Sequence, residues 1–165
     1  MEDEHIAIAR GTNLAISKKF SVEVSHFIRG KDLSKAKKLM EGVIAKKVAV
    51  PFVKHHRDLA HKKGKIGPGR YPVKVAKVFL SLLESAEMNA QNKGLDTERL
   101  YIEGIFANKG TGQMRHGRFR GREAKRTHID IFLEEREKPK ATKKRMKAGA
   151  TKKESSEKKK ETKTK

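Results

Sequence analysis

Residues 100–106 and 127–133 each alternate β-branched or aromatic positions with other side chains, as half-buried strands do. Twenty residues separate them, reading ANKGTGQMRHGRFRGREAKR over 107–126. That is too long for a compact hairpin turn. The segment is also nearly devoid of apolar side chains, so it cannot fold back to pack on its own domain. An extended ribbon satisfies both conditions: ten residues each way, at about 3.3 Å per residue, projects on the order of 30 Å. Nothing in the sequence supplies a second element to hold such an arm, so a partner is expected to hold it.

The charge indicates which kind of partner. Forty-one Lys and Arg stand against twenty Asp and Glu, a formal net charge of +21. Self-repulsion on that scale disfavours a compact chain alone in water. A polyanion removes it, and each neutralised phosphate is rewarded by counterion release. No apolar run reaches the length of a membrane span, no apolar core of a signal segment follows the start, and the acidic residues after Met1 speak against a transit peptide. With no cysteine there is no disulfide framework, thiolate nucleophile or zinc knuckle, and an intracellular setting is expected. Apolar residues make up only 35% of the chain, so the core is small or part of the chain orders only on a partner.

Upstream of the strands, residues 5–9 alternate weakly and suggest an edge strand. Ser17 can cap a helix whose apolar stripe is Phe20, Val24, Phe27 and Ile28, with Gly30 at its end. Asp32 or Ser34 can cap a second helix with the stripe Ala36, Leu39, Met40, Val43 and Ile44. Periodicity fails over 48–72, a proline- and glycine-bearing insertion that reads as a loop ordered on binding. Pro72 then opens a third helix through Val75, Val78, Phe79, Leu82, Leu83, Ala86 and Ala90, stopped by Gly94. Residues 136–165 hold fourteen basic side chains against four glutamates and read as a disordered lysine-rich tail. The expected architecture is α+β: one domain over 1–135, with a small antiparallel sheet packed with three helices and a long extended β-hairpin arm, followed by the tail.

The arm carries the most specific chemistry. Lys109, Arg115, Arg118, Arg120, Arg122, Lys125 and Arg126 face a single opposing Glu123, and Arg outnumbers Lys there while the reverse holds in the tail. Guanidinium forks bind phosphate bidentately and stack on bases, whereas lysine is a point charge. Phe119, isolated among polar residues, can stack on a base. Lys54, Arg57, Lys62, Lys63, Lys65, Arg70, Lys74 and Lys77 form a second basic cluster in and after the insertion. Its GKIGPGRYP stretch lacks the GxxxxGK[ST] spacing of a phosphate loop. His55, His56 and His61 lack the carboxylates and spacing of a metal site. Glu84 and Glu87 lie one helical turn apart on the third helix, where a solvated face or partnership with nearby lysines is expected rather than acid–base catalysis. No catalytic residue, cofactor, metal, membrane or small-molecule substrate is expected.

FIRGK (27–31), NAQNKGLDTERLYI (89–102), MRHGRFRGRE (114–123) and KRTHIDIFL (125–133) together resemble the large-subunit ribosomal protein family numbered twenty-two universally and seventeen in eukaryotes. The insertion and tail place the resemblance on the archaeal and eukaryotic-type branch. It implies a structural constituent of the large subunit in the cytoplasm, contacting large-subunit rRNA and neighbouring ribosomal proteins and assisting assembly. The rRNA contacts then fall to Lys18, Lys19, Arg29 and Lys31, to the arm cations, and to Lys54, Arg57, Lys62, Lys63, Lys65, Arg70 and Lys74 of the second cluster. It further implies that the arm tip, Met114, Arg115, His116, Gly117, Arg118 and Phe119, lines the polypeptide exit tunnel and meets the nascent chain. Two other readings fit the composition. A duplex-DNA compactor would need a recognition helix or dimer signature, and an RNA-modifying enzyme would need a cofactor pocket; the sequence offers neither.

Overall fold

The computed structural model describes residues 5–64 and 66–136, and the expected tail lies outside them. In chain order the elements are β1 (Ile6–Leu14), α1 (Lys18–Ile28), α2 (Leu33–Ile44), β2 (Val50–Pro51), β3 (Gly69–Arg70), α3 (Val73–Asn92), β4 (Leu100–Lys109) and β5 (Thr127–Glu135). A 3₁₀ turn at Thr97–Arg99 precedes β4 and another at Gly117–Phe119 forms the arm's end. The fold is α+β, as expected.

Strands β1, β5 and β4 form one antiparallel sheet in that order, and β2 pairs with β3 in a small ribbon. The last strand in sequence is therefore the central one, and β1 is an edge that runs five residues beyond the stretch expected from alternation. Every second residue of β5, from Thr127 to Leu133, is buried, the period of a sheet with one covered face. Helices α1 and α3 cover that face, and α2 packs on α3. Phe79, Leu83, Ile102, Ile129, Ile131 and Leu133 lie at the centre of the core with no exposure. Truncating any of the large aliphatic ones to Ala costs about 2–5 kcal/mol.

Both sheet edges are capped in part by side chains or turns. On the β1 edge, Asn89 Nδ2 donates to the Ile8 carbonyl at 2.9 Å and Lys93 Nζ to that of Ile6 at 2.8 Å. On the β4 edge, Gly30 N–H donates to the Ile102 carbonyl at 2.9 Å, and Ile102 N–H to Lys31 at 3.0 Å. Gly30 has φ +71°, the left-handed conformation that ends α1 and turns the chain onto this edge. Covered edges keep a strand from pairing with another chain.

The insertion is more ordered than its lack of periodicity suggested. Val50 and Phe52 are fully buried in the core, and the segment returns through β3. Between them the Glu23 carboxylate, itself buried, accepts the backbone N–H groups of Val53 and Lys54 at 3.0 Å and of His55 at 2.5 Å. A buried carboxylate on α1 therefore plays the part that helix or sheet hydrogen bonds play elsewhere.

Candidate nucleic-acid interface

The arm begins inside the sheet. The β4–β5 ladder runs to Lys109 opposite Thr127, so residues 107–109 are strand rather than projection. Beyond it the ribbon continues through Gly110 N–H to the Arg126 carbonyl at 3.0 Å, Ala124 N–H to Gln113 at 2.8 Å and Arg115 N–H to Arg122 at 2.9 Å. Between the first and second of these rungs the outgoing strand has one more residue than the returning one, a bulge that bends and twists the ribbon. Gly117 (φ +69°) and Gly121 (φ +79°) bracket the closing turn.

The base of the arm is fixed from three directions. Thr127 Oγ1, buried, donates to the Ile16 carbonyl at 3.0 Å. Arg126 Nη1 donates to the Asn13 carbonyl at 3.2 Å, and Asn13 N–H to His128 Nδ1 at 3.2 Å. At Gly110 a Cβ would stand 3.1 Å from Asn13 Oδ1 and 3.2 Å from the Arg126 backbone, so a side chain there meets backbone that cannot yield.

Two clefts flank this base. The larger, about 580 Å³, brings Lys18, Lys19, Arg70, Lys109, Lys125 and Arg126 together beside Phe20 and His56. The smaller, about 390 Å³, adds Lys74 and Arg115 to Lys125 and Arg126. Eight cations thus converge on one region, with Glu123, 3.4 Å from Lys109, as the carboxylate lining it. The N-terminus of α1 opens here. Its N-cap residue Ser17 makes no side-chain cap bond, no acidic residue lies in the first turn, and the first two helical residues are lysines. Cations at the positive end of a helix dipole are unfavourable by roughly 0.3–1 kcal/mol each, and an anion reverses the sign. Arg126 Nε is buried without a hydrogen-bond partner among the described residues. An aromatic face holds one more cation in place: the Arg70 guanidinium lies 5.9 Å over Phe20, whose ring meets Phe52 and His56 edge-on at 5.2 and 5.8 Å.

The remaining expected contacts lie elsewhere. Arg118, Arg120 and Arg122 are exposed at the arm's end, together with Met114 and His116. Arg29 and Lys31 are engaged within the chain: Arg29 donates to the Ile105 carbonyl at 3.0 Å and lies 5.6 Å over Phe106, while Lys31 Nζ reaches the Phe27 carbonyl and ring. Burial, then the neighbouring Lys35, lowers the Lys31 pKa from its ordinary 10.5. Lys54, Arg57 and Lys63 are exposed on the insertion, and Lys62 lies 5.7 Å over Tyr71. Lys65 and the side chain of Phe119 are outside the described residues. Lys37 on α2 pairs with Glu87 on α3, the lysine partnership expected for that carboxylate. Glu23 escaped the sequence reading; its signal was a carboxylate inside the apolar stripe Phe20, Val24, Phe27. Among the described residues no group of His, Asp and Glu could hold a metal, and no helix is long and apolar enough to cross a membrane.

Residues 9–134, nearly all of the described fold, match the family model described as ribosomal protein L22p/L17e. The chain belongs to the L22p/L17e family. Its L22p/L17e relatives include the large ribosomal subunit protein uL22 of Thermoplasma volcanium, 47% identical over 108 residues that cover 66% of this chain and 72% of that protein. The protein of the same name from Methanocaldococcus jannaschii is 42% identical over 139 residues, 80% of this chain and 89% of its own length. That from Methanopyrus kandleri is 42% identical over 145 residues, 82% and 91%. These relatives are archaeal, and the chain is of the archaeal type within L22p/L17e.

Proposed function

We propose that this chain is a structural constituent of the large ribosomal subunit in the cytoplasm. Its clefts bind large-subunit rRNA at the base of the arm, and the arm runs on into the rRNA with its tip at the wall of the nascent-chain tunnel. The observation that carries the reading is the convergence of eight cations on an uncapped helix N-terminus where the arm leaves the sheet. Phosphates fit that site in charge and in the donors offered. Family membership supports the choice of rRNA over duplex DNA, since the relatives are named as large-subunit proteins. From the Lys109–Thr127 rung, about eight further residues reach the tip, roughly 25 Å at strand rise. The chain's role is then to hold and position RNA, and no bond is made or broken by it.

The test separates base from tip. Full-length chain carrying Lys19→Ala, Arg70→Ala and Arg126→Ala together should enter large subunits poorly, measured by sedimentation and mass spectrometry. Deleting residues 114–119 should leave subunits complete but change their sensitivity to tunnel-binding macrolides or their response to a stalling peptide. Normal assembly of the triple variant would refute the rRNA site. Complete subunits with neither property altered would refute the tunnel tip.

A further inference from the structure

The face of the sheet away from the helices has no covering element among the described residues. In register it carries Ile6, Glu134 and Tyr101 in one row, Ile8, Phe132 and Gly104 in the next, and Arg10, Asp130 and Phe106 in a third. Phe106 is 52% exposed and stands edge-on to Phe132 with ring centres 5.6 Å apart. It also leans over Gly104, where an added Cβ would lie 3.5 Å from its ring. An aromatic and aliphatic strip is thus left half-open to solvent, with Phe106 its most exposed member.

The charge of this face sets it apart. In a chain of +21, these rows hold no lysine. Glu103, Asp130 and Glu134 lie on or beside them, and Asp96, Glu98 and Glu135 cluster at the same end of the sheet. Four cations share the face, each beside one of its own groups: Arg10 by Asp130, Arg29 over Phe106, Arg99 between Asp96 and Glu135, and Arg136 over Tyr101 at 5.2 Å. Tyr101 senses the balance. Its phenol is raised above 10.0, first by the hydrogen bond to Glu134, then by burial and by the charges of Glu134 and Glu103, against a lowering by Arg136. Carboxylates outnumber cations on and beside this face, so a cationic segment suits it better than phosphate does. A second copy of this chain would bring another +21 with it. Beside the first rows Asn89, Lys93 and the turn at Gly30 and Lys31 already occupy edge groups, so a partner lies across the face by side-chain contact.

We infer that this face docks an extended, Lys- and Arg-bearing segment of a second protein of the same particle, its apolar side chains on Ile8, Phe106 and Phe132 and its cations on Glu103 and Glu134. Proteins that share a polyanionic scaffold carry such segments to neutralise it, and a carboxylate-lined aromatic strip is complementary to them. The inference rests on the ribosomal reading above and names one partner surface within it.

The experiment uses large subunits assembled with full-length chain in which Phe106 is replaced by the photoreactive p-benzoylphenylalanine. After irradiation, cross-linked peptides are identified by mass spectrometry. The expected product joins this chain to a Lys/Arg-rich peptide of another protein. With Glu103→Lys added, its yield should fall at least several-fold while the chain stays in the subunit. Cross-links to rRNA, to residues 137–165 of the same chain or to a second copy would overturn the inference, as would none at all. A chain absent from large subunits would overturn the functional reading and this one with it; a chain present without a protein cross-link overturns only the docking.

Discussion

Glu23 ties the start of the insertion to α1. Its two oxygens accept three backbone N–H groups at the start of the insertion, inside the core. An amide in its place keeps one acceptor and turns donors toward donors. Glu23→Gln should therefore cost about 1–3 kcal/mol, seen as a lower urea midpoint and a release of the insertion in amide exchange. Unchanged stability would mean the backbone of residues 53–55 finds other acceptors. Tyr101 offers a second test at this scale, since the chain has only two tyrosines. With its folded pKa raised above 10.0, Tyr101 contributes stability below pH 10 that is lost as pH rises through the folded value. Glu134→Gln should bring one of the two phenolate absorbance transitions back toward 10.0, and an unmoved pair of transitions would exclude Glu134 as the main cause.

At the level of elements, the arm and the tail divide specific from unspecific attraction. Arg118→Ala, Arg120→Ala and Arg122→Ala together should impair assembly far more than deletion of residues 140–165. Forked arginine contacts are worth about 1.5–3 kcal/mol each, while scattered lysines supply only long-range charge. Quantitative mass spectrometry of purified subunits reads the ranking directly, and a worse defect from the tail deletion would reverse it. The three helices were legible because each keeps an apolar stripe, closed by Gly30 after α1 and Gly94 after α3, and the β4–β5 pair because β5 alternates strictly and β4 is rich in β-branched and aromatic residues. The order within the insertion was hidden for a physical reason: it depends on Val50, Phe52 and the remote Glu23, partners about thirty residues apart that no local period reveals. At the interface, the arm cations stood out by composition. That Arg29 and Lys31 would be spent on the chain's own carbonyls and rings did not, because only the turn at Gly30 brings them against β4 and α1.

Among the described residues, eight cations gather where the arm leaves the sheet, while Glu103, Glu134 and Glu135 lie toward the other end of the same strands. If the eight cations of the clefts each meet a phosphate, affinity for an rRNA fragment should fall with a log–log salt slope of about −6 to −7. A nearly flat dependence would exclude charge neutralisation as the driving force. The segregation has a kinetic consequence as well. A folded body with separated charge turns in the field of a polyanion before it touches it, so the described fold is drawn in with its arm foremost, at distances of about a Debye length, or 8–10 Å at ordinary salt. The approach is aimed before any contact forms. A projection that must thread between folded RNA helices gains from this, because wrongly turned collisions, which would have to dissociate before another attempt, become rare.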